Sequence, residues 1–425
     1  MSTDTPEDPG LEDGVEDGPE AVPLLCPADG VPPLAISADD IADAAATLAS
    51  GTGPFAVDAE RASGFRYSNR AYLIQIRRSG AGTVLIDPVN HGGSPIDSLK
   101  PLADVLGTDE WILHAADQDL PCLAEVGLRP PALYDTELAG RLAGFERVNL
   151  AAMVQRLLGL GLAKGHGAAD WSKRPLPADW LNYAALDVEV LIELRDAIDS
   201  ILTEQGKNGW ATEEFDYLRC AESSPTRRDR WRRTSGIHKV RTGTALAAVR
   251  ELWTARDQIA RRRDIAPGRI LPDTAIIAAA MTDPKTVEEL IALPVFGGQK
   301  QRKSARVWLD ALEAARSSTE PLEANEPNGG PPPPVRWSKR KPEAAARLEA
   351  VRSALTELSA EVGVPTENLV APESVRRLCW DWQDSAVPDP AAVDTALQTL
   401  GVRNWQRELV VPVLARTLAS APRET

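Results

Sequence analysis

Cysteine is scarce in this chain of 425 residues: Cys26, Cys122, Cys220 and Cys379 stand far apart and form no Cys-x-x-Cys pair. That spacing excludes a thiolate zinc site and a disulfide framework. Histidine is as rare, and His91, His114, His166 and His238 show no metal-ligand spacing. No stretch reaches the ~18 uninterrupted apolar residues of a membrane helix, so no membrane span is predicted. Residues 1–22 contain no Lys or Arg and eight acids, the opposite of a basic stretch before an apolar run, which predicts no secretory leader. The expected location is the cytoplasm. Residues 1–29 have little to bury and are expected to be a disordered acidic tail.

The hydrophobic fraction of 43% suffices for real cores, and the length suggests two to four domains. A net charge of −15 argues against a polyanionic partner, but the N-terminal tail carries over half of it. Further along, Arg227, Arg228, Arg230, Arg232, Arg233, Lys239 and Arg241 crowd one segment around Trp231. Arginines bind phosphates and an aromatic stacks on a base, so Arg232 and Arg233 are candidate nucleic-acid contacts. The plainer reading is a solvated linker whose Trp packs on a neighbouring domain.

Four carboxylates and a phenol carry the chemistry. Asp58 and Glu60 follow the apolar run Phe55-Ala-Val, which reads as a buried strand. Alternation then points both acids to one side. Trp111-Ile-Leu-His114 reads as a second strand, and 117–126 as a helix with Asp119 near its N-terminus. Trp180 to Ile198 is a third periodic segment, in which Tyr183 and Asp187 share a helical face. Two acids side by side repel unless a cation joins them, and hard ions such as Mg²⁺ and Mn²⁺ take carboxylate oxygens. Two such ions about 3.5–4 Å apart can clamp the attacking and leaving oxygens of a phosphodiester, with a phenol orienting the water or helping remove its proton. Each piece alone is weak: Asp-x-Glu is more often a solvated strand end, Tyr-x-x-x-Asp a surface pair, and Asp119 a first-turn acid favoured by the helix dipole. Their strength is the ordered set, each associated with an apolar element.

These residues resemble the ribonuclease D family of DEDD-type 3′–5′ exonucleases over about residues 35–320. Asp58 and Glu60 match the first exonuclease block, Asp119 the second, and Tyr183 with Asp187 the third. Leu85-Ile-Asp-Pro88, Tyr134-Asp-Thr136 and Asp170-Trp-Ser-Lys-Arg-Pro-Leu176 support the match. One branch of the superfamily has His five residues before the last Asp. Here that position is Asn182, so the chain looks like the tyrosine branch. The resemblance implies an α/β RNase H-like domain with a mixed sheet flanked by helices, followed by all-α HRDC-type bundles. It also implies two Mg²⁺ or Mn²⁺ ions held by Asp58, Glu60, Asp119 and Asp187, with Tyr183 orienting the water. The expected reaction releases 5′-mononucleotides from RNA 3′ ends, the trailers of tRNA precursors and other structured RNAs being the expected substrate. Ala59 replaces the usual Thr between the first two acids. Gln118 stands where many relatives outside the family have an aromatic.

The expected organisation is an exonuclease domain over 30–225, a basic linker over 226–242, an HRDC domain over 243–320, a Pro-rich linker over 321–342 and a second HRDC-like helical domain over 343–425. Ile36 to Leu48 reads as an amphipathic helix with Ser37 as N-cap and Asp40 as its acidic partner. Strands are expected near 54–59, 70–78 and 83–87. Lys164 to Pro177 reads as a loop over the site, with Trp171 as anchor and Lys164, Lys173 and Arg174 meeting phosphates. His114 is expected to shape the site and touch nucleic acid, or to be a packed histidine. Arg261, Arg262, Arg263, Lys300, Arg302 and Lys303 offer a phosphate-binding face on the bundle, against the plainer reading of a solvated helix face. Two rival readings stay open: a 3′–5′ DNA exonuclease acting on single strands, and a non-catalytic RNA-binding or docking protein.

Overall fold

The computed structural model describes residues 21–89, 95–163, 165–221, 229–318, 322, 330–382 and 389–420. Most of the acidic tail, His91, Lys164, Arg227 and Arg228 therefore lie outside the described residues. Strands, in chain order, are β1 Val22–Leu24, β2 Leu34–Ala35, β3 Thr52–Arg61, β4 Ala71–Ser79, β5 Gly82–Ile86, β6 Trp111–Leu113, β7 Leu133–Asp135 and β8 Leu160–Leu162. Six of them form one mixed sheet in the order β2-β5-β4-β3-β6-β7. β3, β4 and β5 run antiparallel, while β6 and β7 continue parallel to β3.

Alternation along β3 and β4 sorts their side chains. Phe55, Val57, Ile74 and Ile76 enter the main core with Ile41, Ala44 and Leu48 of the helix Ala38–Ala49. That helix starts on a reciprocal cap, in which Ser37 Oγ accepts from Asp40 N (3.1 Å) and Asp40 Oδ2 accepts from Ser37 N (2.9 Å). On the other face, Leu73 and Leu85 pack with Trp171, Leu176, Ala184 and Ala185. Asp58 and Glu60 belong to this second face, paired with Gln75 and Leu73 of β4.

The expected continuous helix over 180–198 is two helices, Ala178–Glu189 and Leu191–Glu204, meeting at Val190. The first packs on β3, β4 and β5, the second mainly on the helices Thr136–Leu142 and Leu150–Leu158 and also on β3 and β6. The expected tail also ends earlier than 29, because Val22–Leu24 pairs in parallel with β8.

Beyond the sheet the chain is helical. The helices Gly243–Arg263, Asp273–Thr282 and Gln299–Ser317 enclose a core of their own. Trp231 and Val240 belong to that core, so the expected linker over 226–242 is partly the bundle's edge. This bundle meets the sheet domain through polar bonds to the β3–β4 loop: Tyr67 OH to Asp257 (3.1 Å), Ser68 N to Asp264 (2.8 Å) and Ala266 N to Phe65 O (3.0 Å).

The C-terminal helices Pro342–Val362, Pro372–Asp381, Pro390–Thr399 and Asn404–Ser420 differ, for their apolar residues are continuous with the main core of the sheet domain. Trp405 stacks on Trp210 at 5.0 Å, and its Nε1 donates to Glu214 (2.9 Å), which also takes Arg403 Nη2 (2.7 Å). Trp337, within the expected Pro-rich linker, is fully buried against Trp380.

Candidate active site

β3 delivers Asp58 and Glu60, the turn after β6 delivers Asp119, and the helix Ala178–Glu189 delivers Tyr183 and Asp187. Carboxylate oxygens of Asp58, Glu60 and Asp187 lie within 4.8 Å of one another. Asp119 lies beside Asp58, and Tyr183 beside Asp187. All five line one cavity of about 430 Å³, roomy enough for a nucleotide-sized group. Its other walls include Arg61, His114, Gln118, Asn149, Leu150, Leu162 and Gly165.

Local backbone explains the placement of Asp119. Asp135, at the end of β7 and nearly fully buried, accepts from the amides of Ala115 (3.2 Å), Ala116 (2.8 Å), Glu137 (2.9 Å) and Leu138 (3.1 Å). It caps the helix Thr136–Leu142 and holds the turn in which Ala115 takes a left-handed φ of 58°. That turn aims the next segment, with Asp119, back at β3. On the far side, Gln75 Nε2 donates to Asp58 Oδ2 (2.8 Å).

The loop above the site is anchored by Trp171, fully buried, whose Nε1 donates to His166 O (3.2 Å). Trp171, Trp180, His166 and Tyr183 follow one another as ring neighbours at 5.1, 5.7 and 5.8 Å. Gly165 lies flat on the Tyr183 ring: a Cβ there would stand 2.0 Å from its Cδ2, so only glycine lets the loop close on the phenol.

The electrostatics follow from crowding acids out of water. Burial first, then Asp58, Asp187 and Asp119, push the Glu60 carboxyl up to about 10. Burial and Asp58 likewise raise Asp119 and Asp187 well above the usual carboxylate range. Burial, with Asp187 and Glu60, keeps the Tyr183 phenol protonated. Burial also lowers His114 to about 4, so its ring is neutral, and Nδ1 meets Thr136 Oγ1 at 2.9 Å. A cluster of converging, buried carboxylate oxygens fits hard divalent cations.

The expected phosphate contacts divide. Lys173 is exposed on the loop but outside the cavity lining. Arg174 is a correction: its guanidinium bonds Asp87 (2.6 and 2.8 Å) and the carbonyls of Tyr72, Trp171 and Lys173, which uses all its donors and leaves none for a phosphate. Trp231 is another, since it is buried in the helical bundle with Nε1 on Asp229 and cannot stack on a base. Arg232 lies over the Trp231 ring at 4.4 Å, Arg233 is exposed, and neither lines the cavity. Sequence reasoning missed Arg61, Gln75 and Asp135. The Tyr-Asp-Thr signature was the one pointer to Asp135.

Comparison with known proteins gives consistent similarities. A 3′-5′ exonuclease model matches residues 34–203, an HRDC domain model 245–312, and a model described as the 3′ to 5′ exonuclease C-terminal domain 330–418. Ribonuclease D of Nitrobacter hamburgensis is 28% identical over 331 residues, spanning 77% of this chain and 80% of that one. The chain is similar to curated ribonucleases D through its exonuclease and HRDC regions. The 3′-5′ exonuclease model and these ribonucleases D together support a 3′–5′ exoribonuclease. Ribonuclease D of Jannaschia is 31% identical over 242 residues, which is 55% of this chain and 61% of that one. Among solved structures, a protein from Bifidobacterium adolescentis superposes with a TM-score of 0.82 at 36% identity, covering 94% of this chain and all of that one. Escherichia coli RNase D, described as an exoribonuclease involved in structured RNA processing, shares the fold, with a TM-score of 0.66 at 23% identity over 92% of this chain and 99% of its own. Among the described residues, no helix is long and apolar enough to cross a membrane.

Proposed function

We propose that this ribonuclease D-like chain removes nucleotides one at a time from RNA 3′ ends by two-metal-ion hydrolysis and releases 5′-mononucleotides, with 3′ trailers of structured RNAs such as tRNA precursors as substrate. The observation that carries the reading is the convergence of Asp58, Glu60 and Asp187 within 4.8 Å, with Asp119 against them, in a cavity open to a chain end. Asp58, Glu60 and Asp187 would hold Mg²⁺ or Mn²⁺, and Asp119 would complete the shell of a second ion. Bound there, such ions supply an activated water and neutralise the leaving 3′-oxygen.

The chain's own groups do the rest. Tyr183, four residues before Asp187 on the same helix and lining the same cavity, orients the attacking water. The apolar wall of Leu150 and Leu162 gives the terminal nucleoside a dry contact, and Gln118 and Asn149 offer it polar edges. The water oxygen bonds to phosphorus, the P–O3′ bond breaks, and the products are a nucleoside 5′-monophosphate and an RNA with a new 3′-hydroxyl.

A 5′-labelled RNA with a 3′ overhang tests this. The expected outcome is a ladder shortening one nucleotide at a time, abolished by EDTA. Asp187→Ala should lower turnover by two or more orders of magnitude with the fold retained, and Tyr183→Phe by about 10²-fold. Near-normal hydrolysis by Asp187→Ala, or a single internal cut, would overturn the reading. Matched DNA and RNA oligomers separate ribose preference, which rests on contacts to the 2′-hydroxyl.

A further inference from the structure

Arg61 directly follows the metal-site Glu60, and strict alternation would send it to the opposite face of the sheet. It is on the same face. Between Glu60, paired with Leu73, and Arg61, paired with Ala71, the β3–β4 register slips by one residue, and Tyr72 has no partner on β3. The Tyr72 carbonyl is taken instead by Arg174 Nη2 (2.7 Å). Arg61 thus reaches the cavity, where its Nη2 lies 3.4 Å from Asp119 Oδ1 and 3.4 Å from Gln118 Oε1. It has no other hydrogen bond or ion pair among the described residues, and both contacts are long for a guanidinium.

Charge in the cavity gives this arrangement a consequence. Four carboxylates are neutralised by two divalent ions, and Arg61 then leaves one positive charge over. One phosphodiester anion removes it. Both ions, the arginine and a phosphate together are neutral, whereas both ions without a phosphate are not, and an uncompensated charge in a buried site is costly.

We propose that Arg61 is the resident counter-ion of Asp119 and makes the second metal's binding depend on substrate: the guanidinium holds the Asp119 side of the site until a phosphate draws it away. The inference rests on the two-metal reading. Arg61 is a positioning residue for Asp119 before substrate binds and a phosphate contact afterwards.

Mn²⁺ binding to the full chain, counted from the free-ion magnetic resonance signal, tests it without reference to turnover. The probe for the phosphate is a dinucleotide with a phosphorothioate link, a diester that carries one negative charge and resists cleavage. The wild-type chain should bind one Mn²⁺ tightly alone, and a second at least about tenfold more tightly once the dinucleotide is present. Arg61→Gln should bind the second ion without dinucleotide and lose the dinucleotide's effect, and Arg61→Lys should keep it. An unchanged first site in Arg61→Gln reports that the variant is folded. Two ions bound equally with and without dinucleotide, or an Arg61→Gln titration matching wild type, would overturn this inference and leave the two-metal reading standing. No bound Mn²⁺ at all would sink both.

Discussion

Glu60 is held where a carboxylate ionises with difficulty, and that makes the metal-free fold sensitive to pH. Its carboxyl is pushed from the ordinary 4.5 up to about 10, and those of Asp119 and Asp187 are raised well above their usual range. A carboxyl raised in the folded state binds more protons there than in the unfolded chain. Stability therefore falls as pH rises above the unfolded value, through the window up to the folded one. In EDTA, the melting temperature should be lower at about pH 8 than at about pH 6, and added Mg²⁺ should raise it more at the higher pH. Melts with and without the ion check this. An equal metal effect at both pH values would contradict the account. The four acids were legible in the sequence because three periodic elements each present theirs on a definable face. Arg61 was not, because a register slip is a property of two paired strands and neither strand's sequence records it.

At the scale of elements, Arg174 links three pieces: β5 through Asp87, β4 through the Tyr72 carbonyl, and the loop over the site through its own backbone neighbours. Asp87 is fully buried. Arg174→Met should cost about 3 kcal/mol by leaving that buried charge without its guanidinium. It should lower kcat more than RNA affinity, since the loop carrying Gly165 and β4, the strand beside Arg61, both lose their tie. Chemical denaturation and single-turnover kinetics measure the two effects. A variant with normal stability but weakened RNA binding would restore the phosphate role expected from sequence. Elements fixed by local rules were legible here, as with Ser37, whose reciprocal cap with Asp40 starts the first helix where the pattern predicted. The break at Val190 was not. Its flanks carry neither glycine nor proline, and beyond β3 the two halves have different neighbours, β4 and β5 for the first and β6 with two helices for the second. Trp231, set among arginines, could be read either as stacking on a base or as packing on a neighbouring domain, and only the bundle core that buries it decides for the second.

At the scale of the molecule, the two helical units are attached by different physics. The central one has its own core and touches the β3–β4 loop through a handful of polar bonds. The C-terminal one shares its core with the sheet domain, and Glu214, nearly buried, is clamped between Arg403 and Trp405. Glu214→Ala should destabilise the whole chain by on the order of 3 kcal/mol, because it orphans Arg403 and the Trp405 indole N–H together. Tyr67→Phe, which removes the hydroxyl's bond to Asp257 and the exposed contacts from Arg261, should cost only about 1 kcal/mol. Urea titrations compare the two, and equal costs would argue against unlike attachments. Composition and periodicity indicated helical units after the catalytic domain. They could not indicate which unit is fused to it, since that depends on contacts almost two hundred residues apart.

That separation has a bearing on how the chain is made. Glu214 and Trp405 are 191 residues apart. At a synthesis rate of about 5–20 residues per second, the partner emerges from the ribosome about 10–40 s after the helix it covers. During that interval the helix Asn208–Cys220 presents Trp210, Ala211 and Phe215 with their C-terminal partners still unmade. A message truncated before codon 405 would leave the catalytic residues complete and the apolar seam open, and such a chain is expected to aggregate more readily than the full one.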